Sequence, residues 1–577
     1  MRRFLILCAF TVLAGSIYVY PDVRFIAEEA GDFKGITLTG TADEAYYLSK
    51  LNDVYKGDYR MASAGLYEHR NDPWLVPPYF ETLIGLTGKA LELPVQYLDI
   101  VLSFLFPVII FWLIYALVYY LSDSRQLGML GACGMLFGYA LFTGSRDIFI
   151  NIMSFKYSEP LWFLRPFSPQ LIYIPFIISL ILIFLFIDTR KKWRLVLIAL
   201  SIASLNYLHL YLWAFLFSGL TVWLVVSIFQ RNQVVWKNII IILIFTIFLA
   251  IPYWINHYRV SLFPSYEFLE KNFGMEYSRR PILPLSYILA SSMILILNKK
   301  RSPPKVFYFL LSFLAGGILC LNQQIITGKI METVHFSNYT NKTFLIIAFI
   351  SSLNKVRLTG NISERLPEKL KRRIITTIFS SVMIFLAISG FAQQNNYYHK
   401  VKGVYSEFQS LRCPIDWLNN NTAKEDVVLT DSIKFGSFIF VRNMLLYTRN
   451  YYYLSIDCAS LISREEKENR ILLAMRFFKY PLWEAESVFN FSNCIIFLGM
   501  SSRYNLVKNA GEYAAGLKSR YVYFMSKDGI ELLRNYKVDY VLVGKKDHLF
   551  NAIEREYPDL AKVFDNANYK IFRLRRI

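Results

Sequence analysis

Runs of apolar residues separated by short polar loops dominate the first two thirds of the sequence. A helix needs about 20 apolar residues to cross a bilayer, and about eleven runs approach that length, several of them short. We place them at Phe4–Tyr20, Leu98–Leu121, Leu127–Thr143, Leu171–Ile187, Leu195–Tyr207, Tyr211–Phe229, Ile239–Ile255, Leu285–Leu297, Val306–Leu321, Thr343–Leu353 and Ile374–Phe391. With 55% hydrophobic residues and a mean hydropathy of +0.33, the composition favours an integral membrane protein.

The basic residues of the loops predict an orientation, because cytoplasmic loops are enriched in Lys and Arg. If the N-terminus is inside, the basic clusters all fall on the cytoplasmic side, including Arg190-Lys191-Lys192 and Lys299-Lys300-Arg301. An odd number of spans then puts the C-terminus outside. The net charge of +20 lies in these loops and not in one basic domain, which argues against nucleic acid as a partner.

The sequence therefore predicts a multi-pass α-helical protein of the cytoplasmic (inner) membrane, N-terminus in and C-terminus out. Residues 1–392 form the transmembrane domain, with a long outer loop at 21–97, and residues 393–577 form an extracytoplasmic α/β domain. In that domain a helix should begin at Ser463, where S-R-E-E has capping-box spacing. Strands are predicted at Asp426–Thr430, Met444–Tyr447, Val538–Val543 and Tyr569–Leu574.

An acidic pair, Asp43-Glu44, opens the first outer loop. Asp43, Tyr47 and Lys50 recur at helical spacing, which predicts a short helix at the membrane surface. The pair can serve as a helix cap, or as chemically active carboxylates facing a lipid-linked substrate. Glu68 and His69 follow in the same loop, either as substrate contacts or as solvated surface.

Two further outer segments contain residues that could contact a phosphate. Arg146, Lys156 and Arg165 lie in the second long outer loop, where the positive-inside rule makes cations less expected. A lipid phosphate is one partner for them; Asp147, Glu159 and ordinary headgroups are the alternative.

A third outer segment follows the ninth span. Its Glu332 and His335 would share one helix face, and His335 could bind phosphate, assist proton transfer or be structural. Between two short runs, outward-facing His209 and Tyr211 would line a cavity.

The layout resembles the GT-C superfamily of membrane glycosyltransferases, particularly the protein O-mannosyltransferase and lipid A aminoarabinose transferase group. The resemblance consists of a first span, the following DEAYYLSKLNDVYKGD, a multi-span body with short cytoplasmic loops and an outer C-terminal domain. It implies inverting sugar transfer from a polyprenyl-phosphate donor, with Asp43 in the position of the catalytic carboxylate and Glu44 beside it. Some relatives have a basic residue shortly after this pair, where this chain has Tyr46 and Tyr47. The donor phosphate then falls to Arg165, Lys156, Arg146 or His335.

This chemistry needs a base for the acceptor and positive charge for the leaving phosphate. Tyr47, Glu68, His69 and Glu332 are the predicted substrate contacts. No cofactor is firmly predicted, although Asp43-Glu44 with Glu68 or Glu332 could hold a divalent cation through oxygen atoms. The expected partners are the donor lipid, a glycan, lipid or protein acceptor, and membrane lipids. The alternatives are a transporter or flippase of lipid-linked sugars, and a non-catalytic assembly or adhesion component.

Overall fold

The computed structural model describes residues 2–39, 42–59, 62, 65–75, 77–139, 160–272, 275–355, 367–430, 438–454, 460–489, 510–545 and 550–574. Of the described residues, 73% are helical. In chain order its longer helices are α1 (Arg2–Glu29), α2 (Ala42–Tyr55), α3 (Tyr79–Ala90), α4 (Val95–Ser122), α5 (Arg125–Phe137), α6 (Ile172–Phe186), α7 (Lys192–Ser204), α8 (Leu210–Phe229), α9 (Gln233–Leu249), α10 (Ile251–Ser261), α11 (Tyr266–Asn272), α12 (Leu285–Lys299), α13 (Pro304–Leu321), α14 (Lys342–Ser352), α15 (Glu368–Phe408), α16 (Arg412–Asn421), α17 (Phe438–Tyr447), α18 (Arg464–Phe477), α19 (Leu482–Phe489), α20 (Ala510–Met525) and α21 (Phe550–Glu556).

The apolar helices fit a membrane protein. Within the described ranges, 7 helical segments are long and apolar enough to cross a membrane: Phe4–Asp32, Val95–Ser122, Pro166–Phe186, Leu210–Phe229, Gln233–Ser261, Pro304–Thr327 and Arg373–Asn421. The sequence predicted about eleven spans. Each predicted run overlaps a helix, but α5, α7 and α12 have only 13, 13 and 15 residues. Helices of that length measure roughly 20 to 23 Å, less than a hydrocarbon core of about 30 Å. Helix α14 has 11 residues and directly continues the π-helical turn Phe336–Asn341.

The chain divides into two compact units. The helical unit consists of Met1–Glu28, Asp99–Pro252 and Tyr277–Gly403, and the mixed unit of Glu29–Leu98, Tyr253–Glu276 and Val404–Ile577. In the helical unit, α8 and α13 approach closely, because a Cβ atom on Gly316 would lie 2.6 Å from the Cα atom of Gly219. Small residues at such crossings are typical of membrane helix pairs.

The mixed unit contains a five-stranded sheet. Its members are β3 (Val427–Thr430), β4 (Tyr451–Tyr452), β5 (Tyr540–Gly544), β6 (Ala561–Asp565) and β7 (Tyr569–Arg573), which follow the two-residue strands β1 (Glu276–Tyr277) and β2 (Lys329–Ile330). The order is β4-β3-β5-β7-β6, with β3 parallel to β4 and β5, and β7 antiparallel to β5 and β6. Val427, Leu429 and Val541 of the central strands share one core with Leu472 and Met475 of α18.

Most of the elements predicted for the C-terminal region are confirmed. Strands β3, β5 and β7 lie where the sequence indicated, and Ser463 is the N-cap of α18, its hydroxyl accepting a hydrogen bond from the Glu466 backbone N–H at 3.1 Å. The strand predicted at Met444–Tyr447 is wrong, because these residues end helix α17. A short apolar run with buried neighbours cannot be assigned to strand or helix by periodicity alone.

Candidate functional site

The predicted site residues are distributed over both compact units. Those of the mixed unit are Asp43, Glu44, Tyr47, Glu68 and His69. Those of the helical unit are Arg165, Glu332 and His335. Arg146 and Lys156 lie outside the described residues.

The acidic pair lies in the first turn of α2. Asp43 is exposed, whereas Glu44 is 3% exposed. Successive residues of a helix point about 100° apart, so the same turn directs one carboxylate to solvent and buries the other. A carboxylate at this position also interacts favourably with the positive end of the helix dipole. The predicted helix is confirmed, and the choice between a helix cap and an active carboxylate stays a prediction.

Helix α2 is held in place by contacts along its length. The side-chain amide of Asn52 donates hydrogen bonds to the backbone carbonyls of Leu445 and Thr448, at 2.8 and 3.0 Å. These carbonyls lie at the C-terminal end of α17, where the helix leaves acceptors without internal partners. The amide therefore fixes α2 against α17 and satisfies acceptors that otherwise need water.

Helix α3 packs closely on the same C-terminal end of α2. A Cβ atom on Gly85 would lie 2.9 Å from the Cβ atom of Val54, so only glycine permits this separation. The Tyr55 hydroxyl donates to the backbone carbonyl of Leu93 at 2.6 Å. Helix α2, whose first turn contains the acidic pair, is therefore held in position by both α17 and α3.

Lys50 is a buried cation on the same helix. It is 2% exposed, and its ammonium nitrogen lies 4.6 Å from the ring centroid of Tyr46, within the range of a cation–π interaction. Glu81 of α3 is also buried; desolvation raises the pKa of its carboxyl, while the charge of Lys50 opposes that rise. The sequence analysis gave Lys50 no role. Lys50 lies seven residues, or two helical turns, after Asp43, and this spacing could have indicated that both residues lie on the same face of the helix.

Tyr47 lies beside Tyr46, with ring centroids 5.7 Å apart in an edge-on arrangement. Tyr47 is partly exposed. A partly exposed aromatic ring one turn after Asp43 provides an apolar face near the carboxylate. Its predicted role as a substrate contact stays a prediction.

Glu68 and His69 belong to an ion-pair network in the mixed unit. Glu68 pairs with the guanidinium of Arg470 at 2.8 Å, and Arg470 is completely buried. Arg470 also pairs with Glu466 at 3.0 Å, and Glu466 contacts Nε2 of His69 at 3.2 Å. The network joins the segment that contains Glu68 and His69 to helix α18.

The protonation of His69 follows from this network. Its Nδ1 atom lies 2.7 Å from a carboxylate oxygen of Asp72. Hydrogen bonds to Asp72 and then to Glu466 raise the pKa of His69 to about 9, against a smaller opposing effect of burial. The imidazole is therefore a cation at neutral pH. Glu68 and His69 have structural partners, and their predicted contacts with substrate stay predictions.

In the helical unit, Glu332 and His335 lie together as their spacing predicted. Glu332 precedes a single helical turn that ends at His335, and its carboxylate lies 3.3 Å from Nδ1 of His335. Arg165 is partly buried and immediately precedes the π-helical turn Pro166–Leu171.

Aromatic rings from three separate segments meet around His335. The rings of Tyr211 and His335 lie 4.8 Å apart, those of His209 and Tyr339 4.6 Å apart, and those of Trp162 and Tyr339 4.9 Å apart. Aromatic faces with polar edges are well suited to binding amphiphilic ligands. The sequence analysis identified His209 and Tyr211 but could not bring them together with Trp162 and Tyr339.

Among the described residues, no group of three or more His, Cys, Asp and Glu side chains is arranged to hold a metal ion. No protein-family model and no curated protein matches the sequence.

Proposed function

We propose that the protein transfers a sugar, with inversion, from a polyprenyl-phosphate-linked donor to an acceptor on the outer side of the cytoplasmic membrane. The observation that carries this proposal is the first turn of α2, which exposes the carboxylate of Asp43 and buries Glu44 on a helix fixed by Asn52 and Gly85. A general base must be held in position and remain accessible to its substrate. The resemblance to GT-C enzymes supports the same role for Asp43.

The proposed reaction divides the work between two kinds of residue. Asp43 accepts the proton of the acceptor hydroxyl or amine while that group attacks the anomeric carbon of the donor. Glu44 orients this turn from its buried position. The bond from the anomeric carbon to the phosphate oxygen breaks, and the phosphate leaves as an anion. Its charge is stabilised electrostatically.

The proposed phosphate contacts are Arg165, Arg146, Lys156 and His335. Arg165 offers donors in a planar fork, which suits a phosphate. The proposal includes the orientation read from the loop charges, with the N-terminus in the cytoplasm and Asp43 on the outer face. Tyr47, Glu68, His69 and Glu332 complete it as substrate contacts.

The test is the variant Asp43→Asn in purified, full-length protein. The protein is incubated with a panel of polyprenyl-phosphate sugars and a membrane extract as the source of acceptor, and loss of sugar from the donor is followed by mass spectrometry. We expect Asp43→Asn to reduce transfer by a factor of about 10² to 10⁴, as for loss of a general base. Full activity in this variant would contradict the proposal.

Glu465→Gln is the matched control. Glu465 is an exposed carboxylate in the first turn of α18, just as Asp43 is in the first turn of α2. Both substitutions remove a charge that interacts with a helix dipole, so similar small effects on thermal stability are expected. Only Asp43→Asn should reduce transfer by the factor given above, and Glu465→Gln should leave it unchanged. Movement of intact donor across proteoliposomes, without loss of sugar, would instead favour a flippase.

A further inference from the structure

The short connection between α7 and α8 contains a buried side-chain amide that lacks hydrogen-bond partners among the described residues. Asn206 is 2% exposed, and neither the oxygen nor the nitrogen of its side chain has a hydrogen-bond partner among the described residues. Burying an amide without hydrogen bonds destabilises the folded protein. Such a group is retained where a ligand or an ordered water completes its hydrogen bonds.

His209 has a similar unpaired atom in the same turn. Its Nδ1 is buried and, within the described part of the chain, has no hydrogen-bond partner. The backbone N–H of His209 donates to the Leu205 carbonyl at 2.8 Å, so the chain turns tightly between Asn206 and His209. The hydroxyl of Tyr207 donates to the Leu249 carbonyl at 2.8 Å, which anchors this turn to α9.

Neither group has a charge to offer an anion. Desolvation, with a smaller contribution from His335, lowers the pKa of His209 to about 3, so the ring is neutral at neutral pH and has one donor and one acceptor nitrogen. The Asn206 amide also has a donor and an acceptor. The matching partner is a neutral hydroxyl group, which does both.

The surroundings of His209 favour a sugar ring over a lone hydroxyl. The ring of His209 lies 4.6 Å from that of Tyr339 and 5.4 Å from that of Tyr211. The ring of Trp162 lies 4.9 Å from that of Tyr339. Aromatic faces beside hydrogen-bonding edges suit a molecule that has both C–H faces and hydroxyl edges. A pyranose or furanose ring has both.

We propose that Asn206 and His209 bind hydroxyl groups of the donor sugar. This inference rests on the proposed function for the identity of the donor. It adds a subsite in the helical unit that recognises the sugar. This subsite is separate from the residues proposed to bind the phosphate. Asn206 and His209 are specificity residues, and no proton transfer is assigned to them.

The test measures binding rather than turnover. Full-length protein in detergent is titrated with farnesyl-phosphate hexoses and, separately, with farnesyl phosphate that has no sugar. We expect Asn206→Leu, which is close to isosteric, to weaken binding of the preferred sugar lipid about ten- to a hundredfold, because hydroxyls of the bound sugar lose their partner. Binding of farnesyl phosphate should be unchanged. The same selective loss is expected for His209→Phe, which keeps an aromatic ring.

Stability gives an independent readout. Without ligand, Asn206→Leu should raise the Tm, because an unpaired buried amide is replaced by an apolar group. Ser204→Ala is the matched control in the same segment, since the Ser204 hydroxyl already donates to the Ser201 carbonyl at 2.7 Å. It should leave the affinity for both lipids unchanged.

The inference is overturned if Asn206→Leu and His209→Phe leave the affinity for every sugar lipid unchanged, or weaken both classes of lipid equally. A lower Tm in Asn206→Leu would also overturn it, because the amide would then be bonded within the protein. Full transfer by Asp43→Asn would contradict the proposed enzymatic function. It would not change the expected loss of sugar-lipid binding in Asn206→Leu and His209→Phe. The two failures are therefore distinguishable.

Discussion

Arg470 shows how strongly one residue can determine the structure of a predicted site. It is completely buried and pairs with Glu68 and Glu466. Removing one member of a buried ion pair leaves the others without compensation, so Arg470→Ala should lower the free energy of unfolding by about 3–5 kcal/mol. Chemical denaturation of the purified protein measures this loss.

The control for this prediction is an arginine of the same helix. The Arg464 side chain is 43% exposed and pairs with Glu468 four residues on. Glu468 is 6% exposed but also pairs with Arg520, so loss of the partly solvated Arg464 should cost about 1 kcal/mol or less. If Arg464→Ala destabilised the protein as much as Arg470→Ala, the importance of the buried network would be refuted.

His69 should make the stability of the mixed unit depend on pH. Its pKa is raised to about 9 in the folded state, against about 6.5 in an unfolded chain. The charged pairs with Asp72 and Glu466 therefore contribute fully below about pH 6.5, and their contribution is lost as the pH rises through about 9. Tm measured from pH 6 to 10 should fall over this interval, and His69→Gln should remove that part of the fall. An unaltered pH profile in His69→Gln would contradict the assignment.

The same residues show where sequence reasoning ends. Glu68 and His69 were identified from their loop, but their partners Arg470 and Glu466 lie 402 and 397 residues further along the chain. No spacing rule connects positions so far apart. The acidic pair was easier to predict, because Asp43 and Glu44 depend on the periodicity of one local helix.

At the scale of elements, the close packing of α3 on α2 is a second testable feature. A Cβ atom on Gly85 would lie 2.9 Å from that of Val54, and both atoms belong to regular helices. Gly85→Ala should therefore push the helices apart and cost about 1–3 kcal/mol. Thermal unfolding gives the stability, and the transfer assay shows whether Asp43 is displaced.

Gly516 of α20 is the control, because a Cβ atom there would meet nothing within 4 Å. Alanine in the middle of a helix is favoured over glycine by about 0.5–1 kcal/mol, so Gly516→Ala should be neutral or stabilising. A stabilising effect of Gly85→Ala would show that α2 and α3 are not in tight contact.

Elements with strong local signals were predicted well. Ser463 caps α18 as the capping-box spacing indicated, and β3, β5 and β7 were recognised as short apolar runs bounded by polar residues. Residues 444–447 failed because their apolar run is the end of a helix whose carbonyl at Leu445 is bonded by Asn52. Whether such a run forms a helix or a strand depends on tertiary contacts, which the local sequence pattern does not reveal.

For the whole molecule, apolar runs predicted helices more reliably than membrane spans. All eleven runs overlap helices, yet 7 segments of the described chain meet the length and hydropathy of a span. Helices α5, α7 and α12, with 13, 13 and 15 residues, are shorter than the roughly 20 residues that a crossing requires. The mixed unit also takes chain from residues 29–98 and 253–276, an assembly that linear composition does not reveal.

The predicted orientation can be tested with a thiol reagent that does not cross membranes. Cys413 lies in the mixed unit and is exposed, so a C-terminal region outside the cytoplasm should be labelled at this residue in intact cells. Loss of labelling in Cys413→Ser would show that Cys413 is the residue that reacts. Lys300→Cys, in the exposed basic loop between α12 and α13, should react only after the membrane is permeabilised, because the positive-inside rule puts this loop in the cytoplasm. The reverse labelling pattern would put Cys413 in the cytoplasm, and Asp43 with it if both residues lie on the same side of the membrane. Nucleotide sugars are available in the cytoplasm, so a lipid-linked donor would not be needed there.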